Sequence, residues 1–165
     1  MLLKTFAEIP YPLTTIIKAI NSIDLRKQWD KGFSDIECLE SSKEGDVLTE
    51  IVYSIMKFPF PFSNRDWVQK KTFWEHYGGN PRNALFHYVS VEHPEKPEKS
   101  SPVRAEMIIG GQFFTEVQPG LTKLYMINHA DAKMGKALQG TVNKKAPESP
   151  KDFVTNLIKG CQLVK

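Results

Sequence analysis

The sequence predicts an α+β fold, an antiparallel sheet with a helix packed on one face. Runs of β-branched and aromatic residues follow one another through most of the chain, separated by Gly, Pro and Asn signals of hairpin length. An amphipathic helix closes the sequence. The 165 residues, at roughly 150 per domain, make one core, and an amphipathic helix and a one-sided sheet then bury their apolar faces against each other.

The first strand, 2–9, stops at Pro10-Tyr11-Pro12, since proline has no amide to give to a ladder. Leu13, Ile16, Ile17 and Ile20 recur at helical spacing. Asn21-Ser22 interrupts them, and Ser22 suits the N-cap of a second short helix, 23–30, closed by Gly32. The period then becomes that of strands. Pairs are expected at 33–39 and 47–56 around a polar loop at 41–46, at 67–76 and 83–91 around Tyr77-Gly78-Gly79-Asn80-Pro81, and at 103–117 and 121–129 around Pro119-Gly120. Residues 92–102, with Pro94, Pro97 and Pro102 among Glu and Lys, read as a solvated loop. Ser149 as N-cap, Pro150 in the first turn and Asp152 behind it open the last helix. Its stripe is Phe153, Val154, Leu157, Ile158, Cys161 and Val164.

Composition excludes several classes. Twenty-two Lys+Arg against nineteen Asp+Glu leave a net charge of +3, which does not describe a nucleic-acid binder. Cys38 and Cys161 do not make a disulfide framework, so a reducing, cytoplasmic compartment is expected. Charged and polar residues interrupt the N-terminal apolar run as no signal peptide would. The longest apolar stretch, near Ile51 to Met56, is far short of the ~20 residues of a membrane span. There is no Gly-rich phosphate loop, His-Glu-x-x-His pair or nucleophile elbow. His76, His87, His93 and His129 fall on or beside separate strands, and Cys161 lies on an apolar stripe. Neither enzyme activity, a metal nor a cofactor is expected.

Two local features stand out. Arg26 and Asp30 are four apart on a short helix and share a side. They form either an exposed ion pair beside a core Trp29, or an inward pair whose guanidinium fork meets a phosphate or carboxylate. The second feature is the aromatic-proline turn from Pro59 to Phe62 that enters the strand at Trp67.

Arg26-Lys27-Gln28-Trp29-Asp30, followed by Phe58-Pro59-Phe60-Pro61 and Ser63-Asn64-Arg65-Asp66, resembles the START family of lipid-transfer domains, in its phosphatidylcholine transfer protein branch. Val103-Arg104-Ala105-Glu106 and Gly120-Leu121-Thr122-Lys123-Leu124 extend the likeness. It runs over residues 1–165, although a whole domain of this family has an N-terminal helix and further strands ahead of the strand at 2–9. The resemblance implies a helix-grip fold: a curved antiparallel sheet wrapped around the long C-terminal helix, with an apolar tunnel between them. Strand 47–56, apolar on both faces, suits a sheet that packs on one side and lines a cavity on the other.

The likeness also implies a site. Arg26 and Asp30 match the pair that meets a lipid phosphate. Trp67 falls at one position of a choline-facing aromatic cage, whose other positions are Ser54 and Ile108, so only one ring is available for cation–π attraction. Lys71, which shares a strand face with Trp67, Gln69 and Phe73, matches a cavity cation of the sterol-binding branch. Glu50 on the neighbouring strand is its expected partner, because an unpaired ammonium in an apolar tunnel is costly. Val52, Phe153 and Leu157 complete the expected lining.

The implied function is binding of a single lipid, a glycerophospholipid first, and its transfer between membranes. A START-like sterol or lipid sensor and a helix-grip enzyme of polyketide cyclase type are the alternatives. Lys133, Lys136, Lys144, Lys145 and Lys151, ahead of and within the last helix, are the expected membrane contact of a cytoplasmic protein peripheral at membranes.

Overall fold

The computed structural model describes residues 2–58, 62–135 and 148–165. Strand β1 (Leu2–Ile9) leads to helices α1 (Leu13–Asn21) and α2 (Ile23–Trp29). Strands β2 (Phe33–Glu44), β3 (Val47–Met56), β4 (Arg65–Glu75) and β5 (Asn83–Ser90) follow, with a 3₁₀ turn at Tyr77–Gly79. Then come β6 (Val103–Arg104), β7 (Glu106–Gln118), β8 (Leu121–Asp131) and helix α3 (Glu148–Cys161). Strands run β1-β8-β7-β5-β4-β3-β2 across one curved sheet, antiparallel except where β6 joins β4 in parallel.

Local chemistry explains most boundaries. The Ser22 side chain accepts from the Leu25 amide, so it caps α2 as its residue type predicts. Gly120 turns the last hairpin at φ +78°, a conformation open to glycine. Three expectations are corrected. Strand β2 continues through Ser41-Ser42-Lys43-Glu44, expected to be loop, because these residues pair with 47–50 at a sheet edge where both faces meet water. The turn shrinks to Gly45-Asp46, with Gly45 at φ +57°. The strand expected at 103–117 is two: Val103–Arg104 pairs with β4, and past the buried Ala105 the chain joins β7 beside β8. Finally, α3 includes Ser149 in its first turn instead of starting after it.

The core fills the concave side of the sheet. Leu13, Ile16 and Ile20 of α1 and Leu157 and Cys161 of α3 meet Phe86, Phe114 and Leu124 of the sheet. Trp29 anchors α2 by donating its indole N–H to the Ala19 carbonyl at 3.0 Å and meeting Phe153 edge-on at 5.9 Å. Gly160 makes this packing possible: a Cβ there would sit 2.5 Å from the Trp29 ring.

Candidate lipid-binding site

Period-2 alternation sends Glu50, Val52 and Ser54 of β3 to the concave face, and Trp67 and Lys71 of β4 with them; all five are buried. Register makes the polar members neighbours. Glu50 lies opposite Lys71, Ser54 opposite Trp67, and Lys71 opposite Tyr88 of β5. A row Glu50–Lys71–Tyr88 thus crosses three strands.

The Lys71 ammonium donates to Glu50 Oε2 at 2.7 Å and lies 5.7 Å from the Phe86 ring centroid. At 1 % exposure, Lys71 is among the most deeply buried side chains described. Burial pushes its pKa below the ordinary lysine value, the nearby Arg26 charge pushes the same way, and Glu50 opposes both. Cys38 approaches Glu50 from β2, and burial, then Glu50, raises its thiol pKa.

Helix α2 brings a second ion pair to this face. Arg26 Nε donates to Asp30 Oδ2 at 3.2 Å, with both side chains largely buried. The pair is buried rather than exposed, and the 22–30 segment achieves this because Trp29 pins the helix to α1 and α3. Burial opposes the Arg26 charge, but Tyr88 and Asp30 together outweigh it and raise its pKa. The Tyr88 hydroxyl, raised in pKa chiefly by burial, interacts electrostatically with Arg26, yet has no hydrogen-bond partner of good geometry among the described residues. Trp67 Nε1 and Gln112 Oε1, on β4 and β7, are also buried without partners among them. Two cations, two carboxylates and three unsatisfied polar atoms therefore lie on strands and a helix that otherwise bury apolar side chains. Buried polar atoms normally have partners, and Tyr88, Trp67 and Gln112 depart from that rule on the concave face.

Not every expected residue joins them. Ile108 is 47 % exposed, because a bulge between Met107 and Ile109 leaves it unpaired and turns Met107 to the core instead. Phe153 packs on Trp29, and Leu157 is wholly buried in the core cluster. Sequence reasoning missed Tyr88, although Ala84, Phe86 and Tyr88 alternate inward on β5. It also missed Gly110, whose lack of a Cβ gives Tyr88 room: a Cβ there would come within 3.2 Å of Tyr88 Cβ.

Arg65 and Asp66 serve structure. Arg65 donates to the carbonyls of Ser63 and Ala132, tying the start of β4 to the segment beyond β8. Asp66 accepts two bonds from Arg104, at 2.9 and 3.0 Å, holding β6 against β4. Pro59, Phe60 and Pro61 lie outside the described residues, as do Lys136, Lys144 and Lys145. Lys133 is engaged with Glu106 and Asp131. Among the described residues, no helix is long and apolar enough to cross a membrane, and no cluster of His, Cys, Asp and Glu is arranged to hold a metal.

A curved sheet gripping a C-terminal helix defines the helix-grip class. The family model for START domains matches residues 2–156, and the chain belongs to that family. Phosphatidylcholine transfer protein of Bos taurus is 27 % identical over 140 residues, covering 85 % of this chain and 63 % of that protein. The chain thus spans 63 % of the length of the curated relatives it matches. Among solved structures, human StAR-related lipid transfer protein 5 superposes with a TM-score of 0.82 at 23 % identity, over 98 % of this chain and 75 % of that one. A Streptomyces aromatase/cyclase superposes at 0.63 with 8 % identity, over 98 % and 93 % respectively. These likenesses show the fold.

Proposed function

We propose that the chain binds one glycerophospholipid between the concave sheet face and the helices, and carries it between membranes. The observation that carries this reading is the buried row Glu50–Lys71–Tyr88 beside Arg26–Asp30. The four ionised groups balance in charge, so the surroundings favour a headgroup that brings both signs. Arg26, with its planar fork, is the phosphate donor of this reading, supported by the Tyr88 hydroxyl. Lys71 remains with Glu50 and orients the row. Trp67 offers one aromatic face and an indole N–H, too little for a choline cage, so the headgroup choice rests on phosphate contacts more than on cation–π attraction.

Binding explains these residues better than catalysis, since the two ion pairs occupy the groups that acid–base chemistry would use. Sequestration has a clear physical purpose: each methylene of an acyl chain kept from water is worth roughly 0.8 kcal/mol. Val52 and Leu157 belong to the apolar surroundings of the chains in this reading. Phe153 of α3, edge-on to Trp29 of α2, responds in this reading when α3 shifts to admit them. Transient contact with the cytoplasmic membrane face through the lysines of 133–151 completes the carrier.

Native mass spectrometry of the purified chain tests the reading. A protein mass increased by one phospholipid is expected, with fluorescent phosphatidylcholine passing between vesicles in its presence. Arg26→Lys keeps a charge for Asp30 but removes the fork, and should weaken phospholipid binding by about tenfold while leaving the fold intact. A lipid-free mass together with no transfer refutes it.

A further inference from the structure

Gln112 stands on the concave face of β7 and takes part in neither ion pair. Register places it between Phe86 of β5 and Met126 of β8, and Phe114, two residues further along the same face, belongs to the core. A primary amide in such company is costly unless both of its ends are hydrogen-bonded. Gln112 is 7 % exposed. Its Nε2 meets only Met126 Sδ, at 3.7 Å, and thioether sulfur is a weak acceptor. Its Oε1 has no hydrogen-bond partner among the described residues. With the nitrogen turned to the sulfur, the end left free is an acceptor.

The position of that acceptor follows from the register. Gly110, the preceding inward residue of β7, lies opposite Tyr88, so Gln112 is a diagonal neighbour of Tyr88 with the two Cα atoms about 7–8 Å apart. It therefore stands one step along the sheet from the row Glu50–Lys71–Tyr88, within the span of a single phospholipid held at Arg26. Phospholipids differ in what they can offer such an oxygen. Diacyl phosphatidylcholine has no donor to give: its quaternary ammonium carries no N–H, and its phosphate and ester groups are acceptors. A primary ammonium in the headgroup, or a free hydroxyl on the glycerol, supplies the missing N–H or O–H.

We infer that Gln112 is a specificity-determining residue of the phospholipid site: its Oε1 accepts a hydrogen bond from an N–H or O–H of the lipid, so that the chain selects a donor-bearing phospholipid over diacyl phosphatidylcholine. This rests on the phospholipid reading above and narrows it. A site built around a buried hydrogen bond rejects the analogue that lacks the matching group, because the protein atom is then left unpaired.

Lipid extraction from mixed vesicles tests the inference. Vesicles of phosphatidylcholine containing either phosphatidylethanolamine or lysophosphatidylcholine are incubated with the chain, and native mass spectrometry counts the lipids bound. Gln112→Met keeps the length of the side chain and removes its acceptor; Gln112→Leu is a second apolar replacement. Both should lower the ratio of donor-bearing lipid to phosphatidylcholine by about tenfold, with a melting temperature no lower than the parent's, because no internal hydrogen bond to Oε1 is lost. A fall confined to phosphatidylethanolamine assigns the donor to the headgroup ammonium, and one confined to lysophosphatidylcholine assigns it to the glycerol hydroxyl. Ratios unchanged by both substitutions overturn the inference while the phospholipid reading stands, and so does a marked loss of stability in Gln112→Met, which would show that the amide serves the fold. A parent chain that takes up no phospholipid overturns both.

Discussion

Replacing Glu50 with Gln tests the buried pair at the centre of the site. The substitution keeps shape and one acceptor oxygen but leaves the Lys71 ammonium, 1 % exposed, without the carboxylate now 2.7 Å away. Removing one partner of such a pair costs about 3–5 kcal/mol; the retained acceptor favours the lower end, about 3 kcal/mol. For a chain of this size that lowers the melting temperature by about 6–12 °C. The loss should depend on pH with a defined sign. Burial lowers the folded-state pKa of Lys71, so between that value and the ordinary lysine value the unfolded chain binds more protons and the Lys71 contribution to stability rises with pH. Without Glu50 the folded-state value drops further and the window opens toward neutrality. The deficit of Glu50→Gln relative to the parent should therefore shrink as pH rises from about 7 to 10. Chemical denaturation followed by tryptophan fluorescence, on both proteins at each pH, gives the difference directly. Glu50→Leu with Lys71→Met removes both charges and should recover most of the loss. A Glu50→Gln protein as stable as the parent at neutral pH, or a deficit that grows with pH, would refute the buried-pair reasoning.

Three other outcomes are expected. Trp67→Phe removes a buried N–H that has no partner among the described residues, so it should cost only about 1 kcal/mol of stability while weakening phospholipid binding several-fold in a vesicle-extraction assay. Gly160→Ala places a methyl 2.5 Å from the Trp29 ring and should destabilise by about 1–3 kcal/mol, visible as a shifted denaturation midpoint with an unchanged slope. Cys161, whose thiol pKa burial pushes up to about 11, should resist iodoacetamide in the native protein near pH 8 and react only on unfolding, as peptide mass mapping would record. Fast native labelling of Cys161 would contradict its place against the core.

Much of this architecture was legible because it is local. The helical spacing of Leu13, Ile16 and Ile20 and the capping chemistry of Ser22 required no knowledge of the rest of the chain. Failures came where neighbours decided. Ser41-Ser42-Lys43-Glu44 has a loop's composition, yet backbone pairing with β3 makes it strand. Ile108 has the right parity on β7 until a bulge shifts it, and a bulge is set by pairing with β8 rather than by hydropathy. Tyr88 was readable from alternation, but its importance depends on which helix lies over it, and Arg26 is 62 positions earlier in the sequence.

The sequence by itself determined the α+β class, the family motifs and the faces on which Glu50, Lys71 and Trp67 stand, because side-chain direction follows from the period of a helix or strand. Tertiary structure decided between the exposed and inward readings of Arg26 and Asp30, and brought the expected partner Glu50 to 2.7 Å from Lys71 across a register spanning 21 positions. Those outcomes depend on how separate elements are placed against one another, and a one-residue change in the β3–β4 register would separate Lys71 from Glu50, leaving every local pattern in the chain as it is.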